Sequence, residues 1–350
     1  MGGGEQYNYN LARDLTSKNV NVTVVTPVPT RNGDHFNFAV IRVNPHPILT
    51  LLETFSKIRD IKPDIVHISG PTPIDYAILP LLKLAKIHVI MTYHADFPSG
   101  IGKMFNSFLF LFQNFFDKIL VQTNSDKQKL QRRGIRSLKL ENFFFSGIDS
   151  NIYRIKDKRS SRDIDILFVG RMDKEHSYKG YFELLDILSY LKSDLASEPN
   201  VYVVGGGEKL KEFMERANEK GVTLNIFENI ETSELISILN RSKTLVLPSI
   251  SPAEGFGRVV LEAIYCGAVP IVSKYAGSSE LITKYNCGII IDPLNPKHSS
   301  VLVSRLLNDS NLLTKFQTTC FMLADKGEFD AHLSIDRTLS IYYEALSECK

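Results

Sequence analysis

The chain has 350 residues, enough for two domains with separate cores, and its 43% hydrophobic and 23% charged content is ordinary for a soluble globular protein. Net charge is only +2, but residues 1–150 hold 17 Lys and Arg against 12 Asp and Glu, and residues 151–350 hold 24 against 27. Cys266, Cys287, Cys320 and Cys349 form no C-x-x-C pair, no apolar run approaches a spanning helix, and no signal-peptide pattern is present, which argues against a zinc site, a disulfide framework and a membrane span.

A cytoplasmic chain is expected, with a membrane face as a candidate contact. Met1-Gly2-Gly3-Gly4 leads straight into a helical pattern over Glu5–Ser17, with no strand before it. On these residues alone a disordered start or a cloning scar fits better than a chain lacking its first strand. Strand-like runs then follow at Val22–Thr26, Ile65–Ile68, Val89–Thr92 and Ile119–Gln122. Between the last two, Phe105, Phe108, Leu109, Phe112, Phe115, Phe116 and Ile119 recur at helical spacing, with Phe110 and Leu111 widening the face. A core helix is expected there. The basic run Lys127, Lys129, Arg132, Arg133, Arg136 and Lys139 reads first as a solvated helix face and second as a dock for anionic lipid. It lacks the interleaved aromatics of a nucleic-acid binder.

Ser146–Arg162 is polar and aperiodic and marks the domain boundary. Beyond it, strands at Ile164–Gly170, Val201–Val204, Thr244–Leu247, Val269–Val272 and Gly288–Ile291 alternate with helices such as Phe182–Ser193, Glu208–Lys220 and Ser233–Arg241. This alternation predicts an α/β protein with two doubly wound parallel sheets. Leu333–Leu346 reads as a last helix, packing back towards the first domain. The expected domains are residues 1–150 and 151–332, with 333–350 as the returning helix.

In open parallel sheets, ligands bind beyond the C-terminal strand ends. Gly170-Arg171 and Lys179 occupy such a loop, where two cations can neutralise a diphosphate; a solvated charged loop is the plainer reading. Gly205-Gly206-Gly207 is a second close-approach turn. In Ser251–Glu262, two carboxylates, Glu254 and Glu262, flank Gly255 and Gly257 ahead of a helix. Free N–H groups at that helix start suit an anion, and the carboxylates suit sugar hydroxyls; a capped helix is the plainer reading. His94 follows a first-domain strand and could donate to a substrate oxygen or shuttle a proton, or be a buried structural histidine. His67 reads as structural, and His176 as a weaker candidate. Asp163-Ile164-Asp165 has a D-x-D form but precedes its strand, at the wrong sheet end for a ligand, so no metal role is expected.

Taken together, EGFGRVVLEAIYCGAVPIV, VGR…KG, VGGGE, the TYHADF loop, VQTNS, SGID and the opening GGGEQYNYNLARDL resemble glycosyltransferase family 4, over essentially the whole chain. The resemblance implies a GT-B fold and retaining transfer of a hexosyl group, of mannosyl or glucosyl type, from a nucleotide sugar such as GDP-mannose or a UDP-sugar. The acceptor would be a hydroxyl on a lipid-linked, glycan or other substrate. It implies no metal, no cofactor beyond the donor, and no nucleic acid. By resemblance, Arg171 and Lys179 bind the donor diphosphate, Glu254 the sugar hydroxyls and Glu262 the ribose. Gly170, Gly205, Gly206, Gly255, Phe256 and Gly257 line the donor site. His94 reaches towards the transferred sugar, and Gly3 and Gly4 line the cleft near the donor phosphate or the acceptor. The interval from Arg171 to Lys179 is longer than the common family form, and Ser146 stands where Asn is frequent. The family has a strand before the GGGE segment, so the resemblance reverses the reading of the start: an N-terminal strand is expected to be missing. Rival readings are a non-catalytic nucleotide-sugar-binding partner or inactive fragment, and a dinucleotide oxidoreductase. The oxidoreductase lacks its G-x-G-x-x-G turn after a strand.

Overall fold

Ile164–Val169, apolar but for Asp165, forms the central strand β7 of the second half of the chain, with Ile164, Ile166, Leu167 and Phe168 all buried. Such near-continuous apolar strands belong to parallel sheets covered on both faces. The computed structural model describes residues 3–29, 36–70, 72–96, 109–157, 162–195 and 197–347. It divides into unit 1, residues 1–147 with 331–350, and unit 2, residues 148–330.

Unit 2 holds six parallel strands in the order β12-β11-β10-β7-β8-β9. These are β7, β8 (Val201–Val204), β9 (Asn225–Phe227), β10 (Ser242–Leu247), β11 (Val269–Ser273) and β12 (Ile289–Ile291). The strand order reverses between β7 and β10. A helix from residues Tyr181–Asp194 follows β7, and one from Val259–Tyr265 follows β10. Phe168, Tyr181, Leu185, Leu188, Val203 and Phe213 belong to one buried cluster on the sheet.

Unit 1 opens with helix α1 (Gly3–Ser17), whose Tyr7, Leu11 and Leu15 recur every four residues and pack into one cluster with Ile90 and Leu120. Its strands are β1 (Thr23–Thr26), β2 (Ala39–Arg42), β3 (Ile65–Ser69), β4 (His88–Thr92), β5 (Lys118–Val121) and β6 (Leu140–Asn142). They form two parallel sheets: β1 pairs only β2, and the other four run β3-β4-β5-β6. Among the described residues no strand precedes α1, and none pairs the second edge of β1 or of β3. The helix Ala331–Ser347 belongs to unit 1, where Ser334 Oγ donates to Phe144 O (2.8 Å) and Ile335, Ile341 and Tyr342 join the α1 cluster.

The aromatic run differs from the long helix its spacing predicts. Residues 109–112 are helical, a 3-10 turn covers Gln113–Phe115, and Ile119 lies in β5. Two incompatible periods overlap at Ile119, and sheet pairing with Met91 wins. Leu109 and Phe116 are buried and Leu111 is exposed; Phe105 and Phe108 lie outside the described residues. No helix among the described residues is long and apolar enough to cross a membrane.

Candidate active site

In unit 2 the chain leaves β7 at Gly170 and passes through a 3-10 turn, Lys174–Lys179, before the helix at Tyr181. Asp173 caps this turn, its Oδ1 accepting from the His176 N–H (3.0 Å) and lying 2.6 Å from His176 Nδ1. Gly180 closes it in a left-handed conformation (φ 70°), and a Cβ there would fall 1.9 Å from Pro248 O. Only glycine fits this crossing of the loops after β7 and β10. The turn delivers Lys179 Nζ to Glu254, 2.9 Å from Oε2 and 3.1 Å from Oε1. Glu254 is 6% exposed at its side chain and also accepts from Ser249 Oγ (3.3 Å). Lys179 comes from the loop after β7 and Glu254 from the loop after β10, so their ion pair lies at the point where the strand order reverses.

Arg171 is more open, 56% exposed, with its guanidinium 3.2 Å from Asp173 Oδ2. The triple glycine packs against the β7 loop: a Cβ on Gly205 would fall 1.9 Å from Gly170 O. Gly255, Phe256 and Gly257 join the 3-10 turn Pro252–Glu254 to the following helix. The carbonyls of Gly255 and Phe256 accept from the N–H groups of Gly277 (2.6 Å) and Ser278 (3.1 Å), which pins this loop to the one after β11.

The helix after that loop narrows one expectation. It has seven residues, and the N–H groups of Val260, Leu261 and Glu262 already donate to the carbonyls of Gly257 and Arg258. An anion at this helix start would therefore have to meet the N–H groups that precede Val260. Glu262 sits on this helix with Arg258 Nε 3.3 Å away and Tyr153 hydrogen-bonded to it. Burial raises its pKa, against the opposing pull of Arg258 and Tyr153. A carboxylate has about four lone-pair sites, so positions remain for further donors. Tyr153 lies inside the stretch read as a bare linker and had no periodic signal to mark it.

In unit 1, His94 follows β4. Its Nε2 is 2.9 Å from Ser69 Oγ, and the rings of Tyr7 (4.8 Å) and Phe145 (5.6 Å) meet it edge-on. Burial lowers its pKa to about 4, which makes it a neutral imidazole at pH 7. Gly3 and Gly4 form the first turn of α1, the helix that carries Tyr7. His67 is structural: Nε2 is 2.6 Å from Thr92 Oγ1 and Nδ1 bonds the Tyr342 hydroxyl, and burial lowers its pKa to about 3, with His94 adding.

Asp96, two residues past His94, is gripped by Arg133 through two bonds of 2.6 Å, and Tyr93 donates its hydroxyl to the same carboxylate. This clamp joins residues 37 apart, with no local signal in the sequence. It also alters the reading of the basic run. Lys129 is held by Asp126 (2.7 Å), Lys139 by Phe116 O (2.7 Å), Arg136 by Asn114 and Arg132 by Gln128 (3.4 Å), so with Arg133 five of the six cations turn to partners within unit 1. The D-x-D carboxylates are likewise committed: Asp163 to Arg241 and Asp165 to Lys243 (2.7 Å), at the N-terminal end of β7.

A model of the family described as "Glycosyl transferases group 1" matches residues 149–319, and one described as "Glycosyltransferase Family 4" matches residues 1–141. An uncharacterised glycosyltransferase of Methanocaldococcus jannaschii is 24% identical over 238 residues, which are 63% of this chain and 59% of that protein. The matches span about half the length of the first curated relatives, 59% and 52%. A glycosyltransferase from Rickettsia africae superposes with a TM-score of 0.77 at 20% identity, covering 99% of this chain and 95% of that one. Anabaena HepE in complex with UDP-glucose does so with a TM-score of 0.77 at 15% identity, covering 99% and 96%. The likeness in structure establishes a shared GT-B fold.

Proposed function

Because the chain belongs to the group 1 glycosyltransferases, we propose that it moves a hexosyl group, of mannosyl or glucosyl type, from a nucleotide sugar to a hydroxyl acceptor with retention. The observation that carries this reading is the Lys179–Glu254 pair at the reversal point of the unit 2 sheet. A cation there meets the diphosphate, and the carboxylate beside it meets the sugar hydroxyls. Arg171, on the same loop, adds a second positive charge against the charge that builds on the departing diphosphate. With both charges in place, the leaving group needs no metal in this reading. Glu262 takes the ribose hydroxyls. His94, neutral and held by Ser69, donates to an oxygen of the transferred sugar. The cation excess of residues 1–150 favours an anionic acceptor, such as a lipid-linked phosphate.

The reading is tested by transfer from a panel of nucleotide sugars to lipid-linked and soluble acceptors, with Lys179→Ala and Glu254→Gln beside the parent chain. Turnover in the parent and loss in both variants is expected. Full activity in either variant overturns the site. Donor binding without transfer to any acceptor turns the assignment to a non-catalytic nucleotide-sugar binder.

A further inference from the structure

β9 ends at Phe227, and Glu228 is the next residue. The C-terminal ends of β7, β8 and β9 are in register: the Gly170 N–H donates to Val204 O (2.9 Å) and the Gly205 N–H to Phe227 O (2.9 Å). Gly170, Gly205 and Glu228 therefore stand in one row along the rim that carries the donor site. Two strand spacings, about 10 Å, separate the ends of the row. At one end the Lys179 side chain passes over Gly170, where a Cβ would lie 3.1 Å from Lys179 Cδ. At the other end the Glu228 side chain leans back over the glycine turn, and a Cβ on Gly206 would lie 2.5 Å from its Oε2.

Glu228 is exposed, and its carboxylate has no hydrogen-bond or ion-pair partner among the described residues. Glu208, the other carboxylate at this turn, is turned to the loop after β7, where it accepts from the Lys174 N–H (3.1 Å). A bare carboxylate does not suit a diphosphate, and the cations that do suit it stand at the opposite end of the row. A ribose and a base laid end to end bridge a gap of this size. We propose that Glu228 reads the nucleobase of the donor and selects guanine.

The inference rests on the donor reading above and names the base within it. Guanine offers two adjacent donors, N1–H and the N2 amino group, and a carboxylate accepts both in parallel. Uracil offers one N–H between two carbonyl oxygens, which the carboxylate repels. Adenine and cytosine each set a ring acceptor beside their amino group, so one carboxylate oxygen gains a bond and the other meets a lone pair.

The test is calorimetric titration of the whole chain with GDP, UDP, CDP and ADP. GDP is expected to bind at least about tenfold more tightly than the other three, the value of one charge-assisted hydrogen bond. Glu228→Gln should weaken GDP and tighten UDP until the preference is lost, since the amide accepts from only one of the two guanine donors and no longer repels the uracil carbonyls. Equal binding of GDP and UDP by the parent, or a preference that survives Glu228→Gln, overturns the role of Glu228 and leaves the donor site standing. If none of the four binds, the donor site itself falls, and this inference with it.

Discussion

Lys179 and Glu254 are 75 residues apart in sequence and 2.9 Å apart in space, one on each side of the strand-order reversal in unit 2. The pair holds a cation in place while it is largely shielded from water, with side chains 17% and 6% exposed. A diphosphate arriving there exchanges partners with the carboxylate instead of meeting a mobile lysine.

Removing the cation should therefore act on binding and stability together. Lys179→Ala leaves Glu254 shielded and without its cation. It should cost roughly 2 kcal/mol in urea unfolding and weaken nucleoside diphosphate binding about tenfold or more. Glu254→Ala removes the buried carboxylate and should leave diphosphate binding stronger than Lys179→Ala does. Equal affinity of Lys179→Ala and the parent would take this lysine out of the site.

Gly180→Ala should be among the more damaging single substitutions. Its Cβ would sit 1.9 Å from Pro248 O in a left-handed backbone, so the loop after β7 must move away from the loop after β10. A loss of about 3 kcal/mol is expected, together with weaker donor binding. A variant as stable as the parent would show that the two loops are not in contact.

Stability should fall with acid in a definite window. Burial holds His94 at a pKa of about 4 and His67 at about 3, both below the value near 6.5 of the unfolded chain. Below pH 6.5 the unfolded chain binds more protons than the folded one, so the contribution is complete above 6.5 and is lost as pH falls towards 4 and 3. The melting temperature should drop from pH 7 to pH 4.5, and less steeply in His94→Gln. Equal slopes in parent and variant would count against the burial of His94.

The clamp on Asp96 predicts an effect on turnover rather than on donor affinity. Arg133→Ala frees the loop that carries His94, and steady-state rates should fall about tenfold with the donor KM little changed. Arg133→Lys, which keeps the charge but loses the two-pronged geometry, should restore only part of the rate.

The carboxylates of the D-x-D segment are predicted to be dispensable for chemistry. Asp165→Asn should keep its transfer rate, and a chelator should not slow the parent. A chelator that stops turnover, rescued by a divalent cation, would reassign the source of positive charge at the diphosphate.

Much of unit 2 was legible because its strands are buried on both faces. Ile164–Gly170 and Thr244–Leu247 read as largely apolar runs, broken only by Asp165 and Thr244, and are β7 and most of β10. The strands that escaped reading, Ala39–Arg42, Leu140–Asn142 and Asn225–Phe227, have three or four residues and lie at sheet edges, too short for a period and too exposed for an apolar run. At the site, the rule that ligands lie beyond strand ends was enough to single out Arg171, Lys179 and Glu254. It could not show that two of them pair, that Tyr153 returns to Glu262, or that three N–H groups of the short helix after β10 already donate to Gly257 and Arg258. Each of those depends on contacts distant in sequence or on where one helix begins.

The division of the unit 1 sheet has a mechanical consequence. Within a ladder, every backbone hydrogen bond resists sliding of one strand along the next. Among the described residues no such bond joins β1–β2 to β3–β6. Both sides meet instead in the apolar cluster of Tyr7, Leu15, Val22 and Ile65. Side chains of that kind resist separation but oppose slippage only by their shapes. Unit 1 thus contains a seam, and amide exchange should quicken abruptly on crossing it from β3 to the two-stranded ribbon of residues 23–26 and 39–42.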